Sequence, residues 1–418
     1  MKKRLLLASL SAAAFGGILS VSAADTPVYT LDQVVVTAAR TEEKQIDTNA
    51  SVSVVTSKQI AQKHFNDVSE ALRAVPGVVL GNYSASGQNY SSNKVFINGS
   101  SNVVILVDGM RRNTNGVSGS AVNLGTLTDM ASIERIEVLK GSASTLYGSD
   151  AQGGVINIIT DDSRNKVNVT SNSRYGSKNQ FLQSVNADVN VGKFGSYTSY
   201  QYQRADGWQL NPYTESKGEL VPTNKQASEG FHRNVINQRF TYDATDRLSF
   251  YVRGTFFGRS SDRPMPMDKV NTTNYDMRKE TFTYGAGAQY MINKNSYLNA
   301  DYLSDNHSTY KDFFDGKKSG ESDMTKRIHY HNLNVKGIFR LGKYNKLSAG
   351  AEFIKELLSS ETDNIAGKSM YTTALYAQDE ININEHFQAY AGLRYIYHEN
   401  FKSYATPNVA LLYKVGGF

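Results

Sequence analysis

Histidines are the side chains in this sequence that are best suited to hold a metal ion or a haem iron. Two of the seven, His329 and His331, are two residues apart and share one face if the segment is a β-strand. Leu333, Val335 and Phe339 continue the same two-residue phase. We therefore expect the pair on the outward face of a strand, above an apolar band, and not in a metal site.

Two other histidines, His232 and His307, are predicted to lie in or beside long polar loops, where a ligand could contact them. Simple solvation is the alternative. The sequence has no His-Glu-x-x-His, Gly-x-Ser-x-Gly or phosphate-loop pattern. It also has no cysteine, which excludes a thiol nucleophile, a disulfide framework and cysteine-ligated zinc or iron–sulfur clusters. We predict no catalytic residues, no metal site, no cofactor and no enzymatic activity.

The first 24 residues have the organisation of a secretory signal peptide. Residues 1–4 are a basic start, residues 5–21 are apolar or small, and residues 22–24 are small enough for cleavage. A transmembrane anchor is the alternative, although the stretch is short. Its removal lowers the formal net charge of +6 by three, because it carries three basic residues and no acidic ones. The remaining charge gives little support for a nucleic-acid partner.

From about residue 164 onward, apolar and polar residues alternate strictly, as in β-strands that are apolar on one face. In one segment Val185, Ala187, Val189 and Val191 alternate with polar or small neighbours. About twelve such segments follow one another. Beyond residue 24 no stretch of eighteen apolar residues occurs, so a membrane crossing would require a β-barrel.

The connectors between these segments alternate between short turns and long polar loops. The short turns are near residues 192–196, 243–247, 293–296, 342–346 and 384–386, and the long loops span residues 208–234, 258–276, 306–326 and 359–369. Outer-membrane barrels have short periplasmic turns, long extracellular loops and a polar interior. A soluble β-sandwich or a solenoid is the alternative, but it explains only the alternation.

Residues 41–163 mix helical and strand signals, which predicts a small α+β domain. Short helices are expected near residues 57–60 and 66–72. Strands are expected at residues 103–107, 133–139 and 154–160, and the last is apolar enough to be covered on both faces.

Residues 28–40 form an extended, β-prone segment ahead of this domain. Main-chain hydrogen bonds would allow it to add to the sheet edge of a partner protein, and an ordinary edge strand of the next domain is the alternative. Its centre resembles the TonB box of TonB-dependent outer-membrane receptors. The matching residues are Asp32, Gln33, Val34, Val35, Val36, Thr37 and Ala38.

The α+β domain resembles the plug domain of the same family. Residues 71–78 are similar to its start, and residues 133–160 match its most specific pattern in one register. The residues that carry this pattern are Arg135, Glu137, Gly141, Tyr147, Gly148, Gly153, Gly154 and Asn157. The sequence departs from the family at Asn98, where arginine usually precedes the glycine, and this puts a salt bridge from that position in doubt.

The resemblance implies an antiparallel membrane β-barrel with an N-terminal α+β plug, located in the outer membrane. It divides the chain into a signal peptide (1–24), a TonB box and tether (25–40), a plug (41–163) and barrel strands (164–418). The implied function is active uptake of a scarce nutrient chelate, first a ferric siderophore, with haem or cobalamin next. The implied partners are TonB of the inner-membrane energising complex, the ligand and outer-membrane lipid, with no nucleic acid.

The resemblance also suggests ligand contacts and internal ion pairs. Plug loops at residues 83–93 and 111–124 would contact the ligand, and the candidate residues there are Tyr83, Tyr90, Arg111 and Arg112. Inward-facing strand residues could pair with the plug cations Arg135 or Lys140; these residues are Asp188, Asp301, Glu352 and Glu380. Solvated charges without specific partners are the alternative.

Twelve strands are too few to close around such a plug. With strands ~4.8 Å apart and tilted ~40°, a closed twelve-stranded barrel has a radius of roughly 12 Å, against ~18 Å for the domain and ~22 Å for twenty-two strands. We therefore expect an incomplete barrel, with about 12 of 22 strands, in a truncated or split receptor. The alternative function is a plug-bearing fragment that binds TonB or ligand without transport. A passive porin would leave residues 28–163 unexplained.

Overall fold

The computed structural model of the protein describes two separate parts of the fold, a mixed N-terminal domain and a large antiparallel sheet. The described residues are 34–35, 43–44, 51–81, 94–113, 124–161, 166–207, 213–222, 230–266, 272–313, 322–360, 364–384 and 386–413. We call residues 51–161 the plug and the twelve-stranded sheet in residues 166–413 the wall. Among the described residues no helix is both long enough and apolar enough to cross a membrane.

The N-terminal elements are short. They are β1 Val34–Val35, β2 Glu43–Lys44, β3 Ser51–Thr56, α1 Ser57–Lys63, α2 Val68–Arg73, β4 Val78–Gly81, β5 Lys94–Ile97, β6 Val103–Val107, β7 Met110–Arg111, β8 Ile133–Lys140, α3 Ser144–Tyr147 and β9 Gly154–Thr160. The 3-10 turns are Leu124–Thr126, Met130–Ser132 and Ser149–Ala151. These elements confirm the α+β composition that was predicted from residues 41–163.

Side chains at the helix ends explain where α1 and α2 begin. The Thr56 side chain accepts a hydrogen bond from the Gln59 backbone, and the Gln59 side chain accepts one from Thr56 N, which is a capping box. The Asp67 carboxylate accepts a hydrogen bond from Glu70 N at the start of α2. Both helices therefore start at a polar residue that satisfies a backbone N–H group otherwise left without a partner.

The plug is built on a five-stranded sheet with the order β3-β8-β9-β6-β7, in which β6 and β9 are parallel. All five residues of β6 are buried, and so are the first five of β9. Ile105 and Ile156 pack with the larger apolar core, while Val104 and Val155 pack on the other face beside α3. The predicted covering of both faces of β9 is confirmed.

Gly154 shows why this sheet requires a glycine at the start of β9. Its φ angle is +149°, and a Cβ atom would lie 2.1 Å from the carbonyl oxygen of Leu139 on β8. No other residue type fits that space without moving the β8 backbone.

The wall consists of twelve antiparallel strands that pair in chain order. They are β10 Val167–Gly176, β11 Gln180–Val191, β12 Phe194–Ala205, β15 Phe231–Thr245, β16 Leu248–Pro266, β17 Thr272–Asn293, β18 Ser296–Phe313, β19 Ser322–Leu341, β20 Asn345–Ser360, β21 Ile365–Asn382, β22 Phe387–His398 and β23 Lys402–Tyr413. A separate hairpin joins β13 Tyr213–Ser216 to β14 Glu219–Pro222. Within the described residues, β10 and β23 are the two edges of the wall.

Several predicted loop boundaries were wrong, because the strands continue beyond the apolar band. β16 extends to Pro266 and β17 starts at Thr272, although residues 258–276 were predicted as a loop. β18 extends to Phe313 inside the predicted loop 306–326. Backbone pairing continues there although the strict alternation of apolar and polar residues that marks a strand in the sequence has ended.

Candidate functional site at the plug–wall interface

The inner face of the wall contacts the plug across the whole width of the sheet. At the first strand, Arg174 Nη1 donates a hydrogen bond of 2.8 Å to the His64 carbonyl oxygen. At the last strand, the hydroxyl groups of Tyr404 and Ser149 are 3.1 Å apart. The plug therefore lies within the curve of the wall, as the resemblance implied.

We name the two ends of the wall by their connectors. The end that carries the longer connectors, such as residues 206–230 and 314–321, is the long-loop rim, and the other end is the short-turn rim. The contacts between the plug and the wall that the structure describes lie along the strands, between these two rims.

Asp108 of the plug holds three parts of the structure together. It lies in the turn between β6 and β7 with a φ angle of +51°. Its carboxylate accepts hydrogen bonds from Thr160 N at 2.8 Å and Thr160 Oγ1 at 2.7 Å, which ties the turn to the last residue of β9. It also accepts one from Arg253 Nη1 on β16 at 2.5 Å, and Arg239 Nη1 on β15 is 3.9 Å away.

A second ion pair joins the plug to β18 and is almost completely buried. Arg112 Nε donates to Asp305 Oδ2 at 2.9 Å, and Arg112 Nη2 donates to Thr283 Oγ1 at 3.0 Å. Asp305 also accepts from Thr283 Oγ1 at 2.7 Å and lies 3.1 Å from His307 Nε2. Because the charges have these additional partners, the desolvation cost of burying the pair is partly offset.

A third contact uses a plug carboxylate with neutral donors. Asp129 accepts hydrogen bonds from Ser132 N at 2.7 Å within the plug, and from Ser199 Oγ and Asn237 Nδ2 of the wall, each at 2.5 Å. Burial raises the pKa of Asp129, and these hydrogen bonds offset only part of that shift. Among these bonding partners of Asp129 there is no cation, so its ionised form is costly in this position.

The helix α3 lies directly against β22. A Cβ atom at Gly392 would be 2.7 Å from Thr145 Cγ2, so the absence of a side chain at residue 392 allows this close approach. Next to it, Arg394 Nη1 donates to the Leu146 carbonyl oxygen at 3.1 Å and Nη2 donates to Glu352 Oε2 at 2.5 Å. The end of α3 is therefore fixed to the wall by both packing and hydrogen bonds.

A cavity of about 540 Å³ opens between the plug and the wall toward the long-loop rim. Its lining combines charged and aromatic side chains: Arg111, Asp150, Tyr330, Glu356, His398 and Tyr404. Its volume lies in the range of small-molecule sites, roughly 300–1,000 Å³. The cavity is therefore large enough for a small organic ligand.

Arg111 and Asp150 form an ion pair on the plug side of this cavity. The Arg111 charge holds the pKa of Asp150 below its usual value. Burial would lower the pKa of Arg111, but the charge of Asp150 and its neighbours outweighs burial and raises it. Both groups are consequently charged at neutral pH.

The predicted ligand contacts have different places in the structure. Arg111 lines the cavity, whereas Arg112 is bonded to Asp305 and Thr283 of the wall. Tyr83 and Tyr90 lie outside the described residues. The ligand role of Arg111 stays a prediction.

In the segment that resembles the TonB box, Val34 and Val35 pair with Lys44 and Glu43. These two residues form a short ladder of their own, separate from the five-stranded plug sheet. The remaining box residues, Asp32, Gln33, Val36, Thr37 and Ala38, lie outside the described residues.

The plug residues that carry the family pattern mainly contact other residues of the plug. Arg135 Nε donates to Glu137 Oε1 at 2.8 Å within β8, and Asn157 Oδ1 accepts from Gly109 N at 3.1 Å. Tyr147, the last residue of α3, is buried in the smaller apolar core. Gly141, Gly148, Gly153 and Gly154 all lie at turns or strand starts of the plug.

The expected partners of Arg135 were different from those found. It bonds to Glu134 and Glu137 of its own strand. Three of the predicted wall carboxylates bond within the wall: Asp301 to Tyr251, Glu352 to Arg394 and Glu380 to Lys346. The Asp108 contact has the opposite polarity, since the plug provides the anion and the wall the cations.

The histidines are dispersed. His307 faces inward beside Asp305, not into a loop, whereas His331 Nδ1 and Tyr302 Oη share a hydrogen bond of 2.9 Å on the outer face. His329 contacts Asn306 through its Nδ1 atom. In the described part of the chain no group of three or more His, Asp or Glu residues is placed to hold a metal ion.

Comparison with known proteins gives two family matches that together cover nearly the whole chain. Residues 44–155 match the TonB-dependent receptor plug domain, and residues 141–416 match the TonB-dependent receptor-like β-barrel. The vitamin B12 transporter BtuB of Vibrio vulnificus is 27% identical over an alignment of 407 residues that covers 93% of this chain and 61% of that protein. The chain thus spans about 61% of the length of this relative.

Solved structures of siderophore receptors share the fold. A mutant of the ferric enterobactin receptor PfeA of Pseudomonas aeruginosa has a TM-score of 0.72 at 19% identity, covering 91% of this chain and 61% of that one. The siderophore receptor PirA of Acinetobacter baumannii has a TM-score of 0.67 at 21% identity, covering 89% and 60%.

Proposed function

The chain belongs to the TonB-dependent receptor family of the outer membrane, and from this membership we propose that it takes up a scarce nutrient chelate. A ferric siderophore is the first candidate ligand, and haem and cobalamin are the next. The transport step would use no covalent chemistry, only binding, release and movement of the plug. TonB is the proposed partner that supplies the energy.

The cavity at the long-loop rim is the observation that carries the proposal. It lies between the plug and the wall on the side that faces the exterior in outer-membrane barrels. Arg111 supplies a guanidinium group that can donate paired hydrogen bonds to anionic oxygens. The partly exposed aromatic ring of Tyr404 supplies flat apolar surface in the same cavity.

Because Arg111 is already paired with Asp150, an anionic ligand that binds to Arg111 would take the place of the Asp150 carboxylate. An anionic chelate would bond to Arg111 in competition with the Asp150 carboxylate, which is 40% exposed and can be solvated by water. The ligand would thereby weaken a contact between two parts of the plug, β7 and the turn Ser149–Ala151. Binding from outside would in this way change the plug itself.

The N-terminal segment supports the proposed interaction with TonB. Val34 and Val35 are held in the described structure by a two-residue ladder with Glu43 and Lys44. Such a short ladder offers few hydrogen bonds, so a strand of a partner protein can replace it. The exchange would connect the partner to the chain just ahead of β3.

Uptake by cells that carry this chain as their only such receptor tests the proposal. We expect accumulation of a labelled ferric siderophore, haem or cobalamin that stops when TonB is deleted or the proton gradient is collapsed. Val35→Pro should abolish uptake because proline cannot donate the backbone hydrogen bond, while Val35→Thr should retain it. Uptake of none of the three ligands, or uptake that continues without TonB, would contradict the proposal.

A further inference from the structure

The outer face of the wall carries an ordered row of aromatic residues near the long-loop rim. Tyr302, Phe353 and Tyr397 occupy one cross-strand row, with Leu333 and Thr373 between them. Phe353 and Leu333 are 40% and 45% exposed, so this surface is open to the surroundings. Aromatic girdles of this kind lie at the level where the hydrocarbon of a membrane meets the headgroups.

Basic residues occupy the rows immediately beyond this aromatic row. His331 and Lys355 are register partners one row closer to the long-loop rim, and His329 and Arg327 follow along β19. We call Arg327, His329, His331 and Lys355 the basic patch. Arg327 and Lys355 are exposed, and the two histidines are partly exposed.

The two strands that carry the patch hold no acidic residue on their outward face between residues 327 and 341 of β19 and between residues 345 and 359 of β20. On the neighbouring strands, however, Glu399, which follows β22, accepts a hydrogen bond of 3.2 Å from the backbone of Tyr371, the register partner of Lys355. Arg327 and His331 are four residues apart on one strand, which is about 13 Å. The patch therefore presents basic groups over a length greater than that of one phosphate group.

We propose that the basic patch binds the phosphate groups of lipid headgroups in the membrane leaflet at the long-loop rim. The height of the patch carries this assignment, because its side chains begin one row beyond the aromatic residues that mark the headgroup level. Basic side chains at that level are attracted to anionic lipid headgroups. A membrane lipid also fits the adjoining apolar surface, which would contact its acyl chains.

Binding there would influence the ligand cavity on the other face of the same strands. Tyr330 lies between His329 and His331, and Ile354 and Glu356 flank Lys355; all three alternate residues point inward and line the cavity. A lipid that holds β19 and β20 at a fixed height also holds these cavity residues. The interaction goes beyond nutrient uptake, since it requires no nutrient ligand and no TonB.

The test measures lipid binding to the full chain in neutral detergent. The probes are diphosphoryl lipid A and a dephosphorylated lipid A with the same acyl chains, with native mass spectrometry as the readout. We expect the diphosphoryl lipid to bind more tightly and its affinity to fall with added salt. At about fivefold per charge, Arg327→Gln and Lys355→Gln should each weaken binding about fivefold and the double variant about 25-fold.

Two matched variants remove exposed basic residues elsewhere. Arg204→Gln lies outward on β12 near the long-loop rim, and Lys193→Gln lies at the short-turn rim. Both should bind the diphosphoryl lipid as the unchanged protein does. The thermal unfolding temperature of each variant, measured in the same detergent, verifies that it is folded.

The proposal would be overturned by equal affinity for the two lipids, by an unchanged affinity of a folded Arg327→Gln/Lys355→Gln variant, or by an equal loss in Arg204→Gln. If inorganic phosphate at a concentration stoichiometric with the protein displaced the lipid completely, the patch would be a site for free phosphate. That result would also overturn the proposal. None of these results depends on whether the chain transports a nutrient.

Discussion

Arg239 and Arg253 lie directly opposite each other on β15 and β16, and the plug carboxylate of Asp108 faces both of them. Like charges at directly opposed positions of an antiparallel pair repel one another. The plug therefore relieves this electrostatic repulsion when it is in place, because Asp108 brings a negative charge between the two guanidinium groups. The same carboxylate also fixes Thr160, the last residue of β9.

Replacing Asp108 by asparagine should loosen the plug. Asp108→Asn keeps the shape of the side chain but leaves Arg239 and Arg253 facing each other without the anion. We expect the free energy of plug unfolding to fall by about 2–3 kcal/mol, slightly less than for a fully buried pair since these groups are partly exposed. Chemical denaturation, followed by protease cleavage of the plug, measures this.

A second substitution isolates the charge effect. Arg239→Gln in the Asp108→Asn background removes the repulsion and should recover part of the lost stability. Asp206→Asn, at an exposed position just after β12, should change the free energy of unfolding by no more than about 0.5 kcal/mol. An Asp108→Asn protein as stable as the original, or no recovery on Arg239→Gln, would count against the proposed role of Asp108.

The buried pair Arg112 and Asp305 should be costly to break singly and cheaper to remove together. Arg112→Met leaves the Asp305 carboxylate without its strongest cationic partner, and Asp305→Leu does the same to Arg112; each should cost about 3–5 kcal/mol. The double variant should lose less than either single one, because no uncompensated charge remains buried. A double-mutant cycle on the free energy of unfolding gives the coupling.

An exposed ion pair provides the comparison for this cycle. Arg278 Nε and Glu280 Oε1 are 3.6 Å apart, and both side chains are about 40% exposed. Their coupling energy should be below about 1 kcal/mol. If Arg112 and Asp305 show a coupling no larger than that, the buried pair does not hold the plug.

The sequence predicted the strands and their outward faces, but it did not predict the side-chain contacts between the plug and the wall. Two-residue alternation was enough to predict the outward face of His331 and about twelve strands, because the membrane imposes one apolar face on every strand. The position of His307 was mispredicted for the same reason. It lies beyond the apolar band, where the pattern ends but the hydrogen-bonded ladder continues.

The partners across the interface could not be predicted from the sequence. The sequence left open whether Arg135 pairs with a wall carboxylate or has no specific partner, but a carboxylate two residues away on its own strand is nearer. Asp108 is 145 residues from Arg253, and only the seating of the plug against β16 brings them together. Alternation assigns residues to a face, but it does not specify which inward residue meets which part of the plug.

Asp129 should make plug stability depend on pH. Because burial raises its pKa in the folded protein above the unfolded value of about 3.9, the folded state binds more protons. Its favourable contribution is thus complete below about pH 4 and is lost as the pH rises through the folded-state pKa. Measured between pH 4 and 8, the stability difference between the original protein and Asp129→Asn should decrease with rising pH.

Asp150 provides a comparison of opposite sign. Arg111 holds the pKa of Asp150 below its usual value, so its contribution is present above about pH 4 and is lost as the pH falls through the folded-state pKa. Asp150→Asn should therefore remove stability at neutral pH and little at the acid end. Equal slopes for the Asp129 and Asp150 variants would rule out the assigned environments.

The contact between Gly392 and Thr145 should determine whether α3 can seat against the wall. A Cβ atom at residue 392 would meet Thr145 Cγ2 at 2.7 Å and Gln378 Cβ at 3.1 Å. Gly392→Ala should consequently lower the free energy of plug unfolding by about 1–3 kcal/mol through overpacking. Thr145→Ser removes the Cγ2 atom and should restore most of this loss when combined with Gly392→Ala. Gly254→Ala is the matched control, because a Cβ there meets nothing closer than 3.9 Å. If Thr145→Ser does not restore stability, the destabilisation arises in the β22 strand and not at the α3 contact.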